Sequence, residues 1–110
     1  MSEPGTGAIV VTTTTASAEA AEALARRLLS ARLAACVQLT SITSLYAWQG
    51  AVSRDPEVLL TIKTRASLFQ RLEAAIRAGH AYQTPEVIAV AVTAVSPDYL
   101  AWLMDVTDTG

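Results

Sequence analysis

The residues with the most chemistry to offer sit in one short stretch, His80-Ala81-Tyr82-Gln83-Thr84-Pro85-Glu86. It holds the chain's only histidine, a phenol and a carboxylate, directly after Gly79, where a helical pattern stops. An imidazole serves as a proton shuttle or as a ligand for borderline metals. Alone it holds no metal, so the donors brought beside it decide the chemistry. The candidates are Cys36, a soft donor, and Glu86, a hard one, so His80, Cys36 and Glu86 form the expected set for copper, zinc or another divalent cation. A second subunit supplying the same residues would complete such a set equally well. Each residue also has a plainer reading. Cys36 lies in Ala34-Ala35-Cys36-Val37, a setting in which a free cysteine packs as a small apolar side chain. His80 on a loop suits a capping or intersubunit hydrogen bond. Metal held through it would weaken on acidification.

Glu57 and Lys63 are isolated charges among apolar residues and read as a solvated cross-strand pair. Lining an intersubunit cleft together with Glu86, Tyr46, Trp48 and Tyr82, they would instead suit a small anion or polar ligand. Tyr46, Trp48 and Trp102 read first as interface packing. The sequence has no Gly-x-Ser-x-Gly elbow and no phosphate-cradling glycine loop, so nucleophilic catalysis and phosphate binding by such a loop find no support.

The elements that must position these residues follow from periodicity. Ala8 to Thr14 is a β-branched run suited to a buried strand. Ser17 is placed to cap a helix whose apolar face is Ala21, Leu24, Ala25, Leu28 and Leu29, with Glu22 and Arg26 paired on the other side. Leu33 to Gly50 reads as a long, bent strand closed by a turn at Gln49-Gly50, and Ala51 to Arg65 returns as the next strand. Ser67 is expected to cap a second helix carrying Leu68, Phe69, Leu72 and Ile76, with Glu73 and Arg77 paired. Val87 to Val95 reads as a strand, and Ser96-Pro97-Asp98 opens a short last helix. The order strand–helix–strand, strand–helix–strand predicts an α+β fold: a ferredoxin-like βαββαβ sandwich with an extended central hairpin and a short C-terminal helix. One domain is expected over residues 1–110, with its core between residues 8 and 104 and fraying over the first seven and last few residues.

Composition narrows the function classes. Apolar residues make up 52% of the 110 and charged residues only 16%, a surplus that reads as subunit interface. The formal charge is −2 and the eight basic residues are scattered, which argues against a nucleic-acid partner. No stretch is long and apolar enough for a membrane span, and Met1 to Gly7 has neither the basic nor the apolar region of a secretory signal. One cysteine excludes an internal disulfide and fits a reducing compartment, so the cytoplasm is expected. The hairpin from Leu33 to Arg65 outruns what helices of about four turns cover. Its free edges need partners, and closed pairing with sister copies supplies them.

Five ordered segments then carry a resemblance. Arg32-Leu33-Ala34-Ala35-Cys36-Val37, Ser44-Leu45-Tyr46-Ala47-Trp48-Gln49-Gly50, Glu57-Val58-Leu59-Leu60-Thr61-Ile62-Lys63-Thr64, His80 to Glu86, and Tyr99-Leu100-Ala101-Trp102-Leu103 resemble the CutA1 family of divalent-cation tolerance proteins, over Ile9 to Leu103. The resemblance implies a ferredoxin-like subunit locked into a homotrimer by its hairpins, and tolerance of divalent metals, copper above all, with no enzymatic reaction. The family's likeness to PII signalling proteins implies an alternative, a trimeric sensor that binds a metabolite or a protein between subunits. Copper-binding members use a cysteine at the end of the first strand and a His-His pair after the second helix. Here Thr13 and Gly79-His80 stand at those places.

Overall fold

Strand β1 (Ala8–Thr15) is built almost wholly of valine, isoleucine and threonine, side chains that pack well on a pleated surface. The computed structural model describes residues 5–109 and places β1 inside a four-stranded sheet. Around it run helix α1 (Ala18–Ser30), strand β2 (Cys36–Trp48), strand β3 (Ala51–Arg65), helix α2 (Phe69–Ala78), strand β4 (Ile88–Ala91) and helix α3 (Pro97–Val106). The strand order is β2-β3-β1-β4 and every neighbouring pair is antiparallel, as the ferredoxin-like reading requires. Helices α1 and α2 bury Leu24, Leu28, Leu72 and Ile76 against Val11, Leu60 and Ile62 of one sheet face. Helix α3 covers only one end of the other face, through Leu103 over Ala8 and Ala35. No helix among the described residues is long and apolar enough to cross a membrane.

Local signals set the helix ends. The Ser17 hydroxyl accepts from the Ala20 N–H at 3.1 Å, one of the orphan donors of the first turn. Helix α1 closes with the Leu33 N–H on the Leu28 carbonyl and the Arg32 N–H on the Leu29 carbonyl, both at 3.0 Å. That closure holds Arg32 at φ 59. The Glu22–Arg26 and Glu73–Arg77 pairs form at 2.8 and 3.3 Å.

Two expectations change. The Ser67 side chain makes no cap bond; the chain enters α2 through a 3-10 turn at Ala66–Leu68. Gly79 ends α2 as expected, at φ −111, outside the left-handed region, with the end of the flexible Arg27 side chain lying close to it. The valine-rich run after Pro85 forms a strand only over Ile88–Ala91, paired with Thr12 back to Ile9, and Val92 adds one further bond to the Ala8 carbonyl. Residues 1–4 and 110 lie outside the described residues. The expected fraying stops short of Thr6, whose N–H donates to the Val92 carbonyl at 3.0 Å.

The hairpin overshoots as expected. Strand β1 stops at Thr15, opposite Val58, while β2 and β3 stay paired from Ile42 with Glu57 out to Trp48 with Ala51. Leu45 and Val52 on that overhang are 67% and 77% exposed, so the overhang carries apolar surface into solvent on a single chain. Its turn holds Gln49 and Gly50 both at positive φ, 50 and 81, the mirror-image turn that matches strand twist. Glutamine is a poor occupant of that region. Gln49→Asn is expected to raise stability by about 0.5–1 kcal/mol, read as a higher urea midpoint at unchanged slope. A midpoint that stays or falls would mean that the glutamine conformation costs nothing.

Candidate functional site

Beyond Thr15 the β1 side of β3 has no strand neighbour, and the loop between α2 and β4 occupies that place. His80 fastens the loop. Its Nδ1 accepts the Tyr82 backbone N–H at 3.0 Å, so Nε2 carries the proton and donates to the Thr14 carbonyl at 2.7 Å. Both ring nitrogens are thereby engaged within the chain. The same fold-back stacks Tyr82 obliquely on the imidazole, ring centres 4.6 Å apart. The Tyr82 hydroxyl then donates to Glu57 at 2.6 Å, and the Thr12 hydroxyl donates to Glu86 at 2.7 Å. Pro85 between them is buried.

These contacts leave a cleft of about 560 Å³ between the loop and the hairpin overhang. Tyr46 and Trp48 of β2, Glu57 of β3, and Tyr82, Pro85 and Glu86 of the loop form its walls. Beside it the Tyr46 hydroxyl donates to Asp55 at 2.5 Å. No lysine, arginine or histidine lines the cleft among the described residues, and Asp55, Glu57 and Glu86 have no ion-pair partner there. The phenols register this negative field. Burial raises Tyr82 well above its ordinary value, helped by its bond to Glu57 and by that charge. Tyr46 is raised chiefly by its bond to Asp55, then by burial and the charges of Asp55 and Glu57.

The structure divides the residues expected to act together. His80 and Glu86 share one loop, with Glu86 in the cleft wall and His80 behind it. Cys36 opens β2 at the far end of the sheet, opposite Lys63. Lys63 in turn pairs with Val10, four residues along β1 from Thr14, a distance of roughly 13 Å. Cys36 is partly buried and meets Tyr99, whose phenol is raised by burial and by the thiol. Among the described residues no three His, Cys, Asp or Glu side chains gather as a metal cluster within the chain. Glu57 and Lys63 are not a cross-strand pair. Both lie on β3, and Lys63 sits 5.9 Å from the Tyr99 ring centre, at the other end from Glu57. Thr13 is buried on the face of Val11 and Leu60, away from the cleft, and its hydroxyl finds no partner among the described residues. Sequence reasoning missed Asp55, Thr12 and Thr14. Asp55 was within reach, because a two-residue turn at Gln49-Gly50 sets Ser44 against Asp55 and Ile42 against Glu57.

All three tyrosines are raised from 10.0, so folding holds their protons more tightly than the unfolded chain does. Their contribution to stability is complete below that value and is lost as pH climbs from it toward the folded values, where the native state retains protons that the unfolded state has shed. Ultraviolet titration should therefore show phenolate absorbance rising later in the folded protein than in the denatured one. Glu57→Gln should bring one transition partly back down; coincident folded and denatured curves would contradict the assignment.

Residues 9–106 match the model of the CutA1 divalent ion tolerance protein family. The chain is 45% identical over 100 residues to the chloroplastic CutA protein of Arabidopsis thaliana, covering 90% of this chain and 55% of that one. It is 40% identical over 99 residues to the divalent-cation tolerance protein CutA of Thermus thermophilus, covering 89% of this chain and 96% of that one. The chain thus spans about half of the plant relative and nearly all of the bacterial one. The crystal structure of CutA1 from Oryza sativa superposes with a TM-score of 0.91 at 42% identity, over 94% of this chain and 95% of that one. Fold, motif order and sequence agree: the chain belongs to the CutA1 family of divalent-cation tolerance proteins.

Proposed function

We propose that the chain acts in divalent-cation tolerance as a non-enzymatic homotrimer that binds copper or another divalent metal ion. The observation that carries this reading is the uncompensated charge of the cleft, where Glu57 and Glu86 meet no basic side chain among the described residues. A cation entering there gains Coulomb energy that no internal ion pair has already spent. Glu86 is the donor best placed in the cleft. His80 can join it once Nδ1 exchanges the Tyr82 N–H for the metal, and that nitrogen is the donor copper would favour over carboxylate oxygen. Cys36 would act only in a separate site at the opposite end of the sheet. A single chain offers too few convergent donors for a closed site, so a neighbouring copy is proposed to supply the remainder.

The edges of the sheet support that assembly. Strands β2 and β4 are different edges, both unpaired on their outer sides among the described residues. Ile88 and Val90 of β4 are 55% and 62% exposed. Two unlike edges that pair with one another make a head-to-tail contact, and a head-to-tail contact that closes makes a ring. The single cysteine fits a reducing compartment.

Sedimentation velocity at micromolar concentration should give a trimer; a stable single subunit would remove the assembly. Calorimetric titration with Cu(II) or Zn(II) should give saturable binding, with Glu86→Gln and His80→Ala each weakening it by about tenfold or more. Absence of heat with both ions would end the metal-binding reading.

A further inference from the structure

We propose that the cleft walled by Tyr46, Trp48, Tyr82, Glu57 and Glu86 is a binding site for a small organic cation, a protonated alkylamine. This goes beyond metal tolerance and does not depend on it, although the same carboxylates are used. The sign of the ligand follows from the lining, which holds two carboxylates and, among the described residues, no basic group. The small anion or polar ligand considered from sequence called for Lys63 in an intersubunit cleft; within one chain Lys63 lies at the other end of β3, beside Tyr99, and leaves the intrachain cleft acidic.

An organic ammonium uses more of this cleft than a bare metal ion does. Glu57 and Glu86 each give one oxygen to a hydroxyl within the chain, Oε2 in both cases, and keep Oε1 free of hydrogen bonds from the described residues. Two separate acceptor oxygens suit the diverging N–H donors of an R–NH₃⁺ group. Tyr46 and Trp48 stand two residues apart on one face of β2, roughly 7 Å along the strand. Each is 42% exposed on the single chain, so packing within the chain leaves part of each ring open. Such faces attract ammonium through their negative quadrupole and cover an alkyl tail at the same time. The volume, about 560 Å³, is that of a site for an organic molecule. His80 holds the Tyr82 wall through Nδ1 and acts as a positioning residue.

The test uses three compounds of one shape and different charge: butylammonium, butanol and butyrate. A Trp102→Phe background leaves Trp48 as the only indole, since the chain has two tryptophans. Its fluorescence then reports the cleft. Butylammonium should give a saturable change, butanol should bind about tenfold more weakly or worse, and butyrate should not bind. Glu57→Gln and Glu86→Gln should each weaken butylammonium while leaving butanol unchanged, with trimeric sedimentation and the melting curve as checks that each variant is intact. Equal binding of butanol and butylammonium, tighter binding of butyrate, or no saturable change with butylammonium would each overturn the proposal. Zinc chloride that binds where butylammonium does not would overturn it too, while sparing the metal reading.

Discussion

The unequal length of two neighbouring strands governs this molecule. Strand β1 has 8 residues and its partner β3 has 15, so nearly half of β3 runs on with only β2 for company. A two-stranded ribbon is marginal in water by itself. The overhang therefore needs cover from elsewhere, and it obtains part of it inside the chain. Where β1 turns away at Thr15, the α2–β4 loop comes in beside β3 and is held there by Thr14, Thr12 and Glu57. The cleft is the space left between a loop standing in for a strand and a ribbon that outreaches it. Site and assembly surface thus have one origin.

His80 shows how a residue chosen for its chemistry can serve by geometry. Each of its hydrogen bonds is worth about 1 kcal/mol by itself. Together they bridge the end of β1 to the loop, which closes a connection between residues 66 apart in sequence. Ordering that loop costs backbone entropy at every position, and the bonds from Tyr82 and Glu86 to the sheet help to offset it. A lone histidine after a helix stop reads equally well as a ligand or as a capping group. On the single chain both nitrogens bond within it, and one of those bonds depends on Thr14, which no local pattern connects to His80.

The same contrast explains what was legible in the sequence. The Ser17 cap, the Glu22–Arg26 and Glu73–Arg77 pairs and the hairpin overhang all follow from spacing within one element or from one turn, and they were read correctly. The Ser67 cap failed because a 3-10 turn intervened before α2. Strand β4 was overextended because valine content favours a strand but cannot say where the partner strand ends. Glu57 was placed opposite Lys63 although both belong to one strand, an error that counting outward from Gln49-Gly50 corrects. Contacts such as Tyr82 with Glu57 or Thr12 with Glu86 join elements through the tertiary fold, and no periodicity encodes them.

Charge placement completes the picture. The net charge of −2 describes the chain poorly, because several of its cations are engaged away from the cleft, with Arg54 on the overhang an exception. Arg32 donates to the Asp105 and Thr107 carbonyls, Arg65 to the Met104 carbonyl and the Thr107 hydroxyl, and Arg71 pairs with Asp108. Lys63 lies over Tyr99 of α3. These cations are spent on fastening the last helix and the residues after it, at the end remote from the cleft. The carboxylates Asp55, Glu57 and Glu86 accept hydroxyl donors from Tyr46, Tyr82 and Thr12 and form no ion pair among the described residues, although Arg54 stands beside Asp55 on the overhang. A hydroxyl satisfies one lone pair of a carboxylate without cancelling its charge. The lining of the cleft therefore keeps its negative charge, and that charge is the ground on which a cation is proposed there.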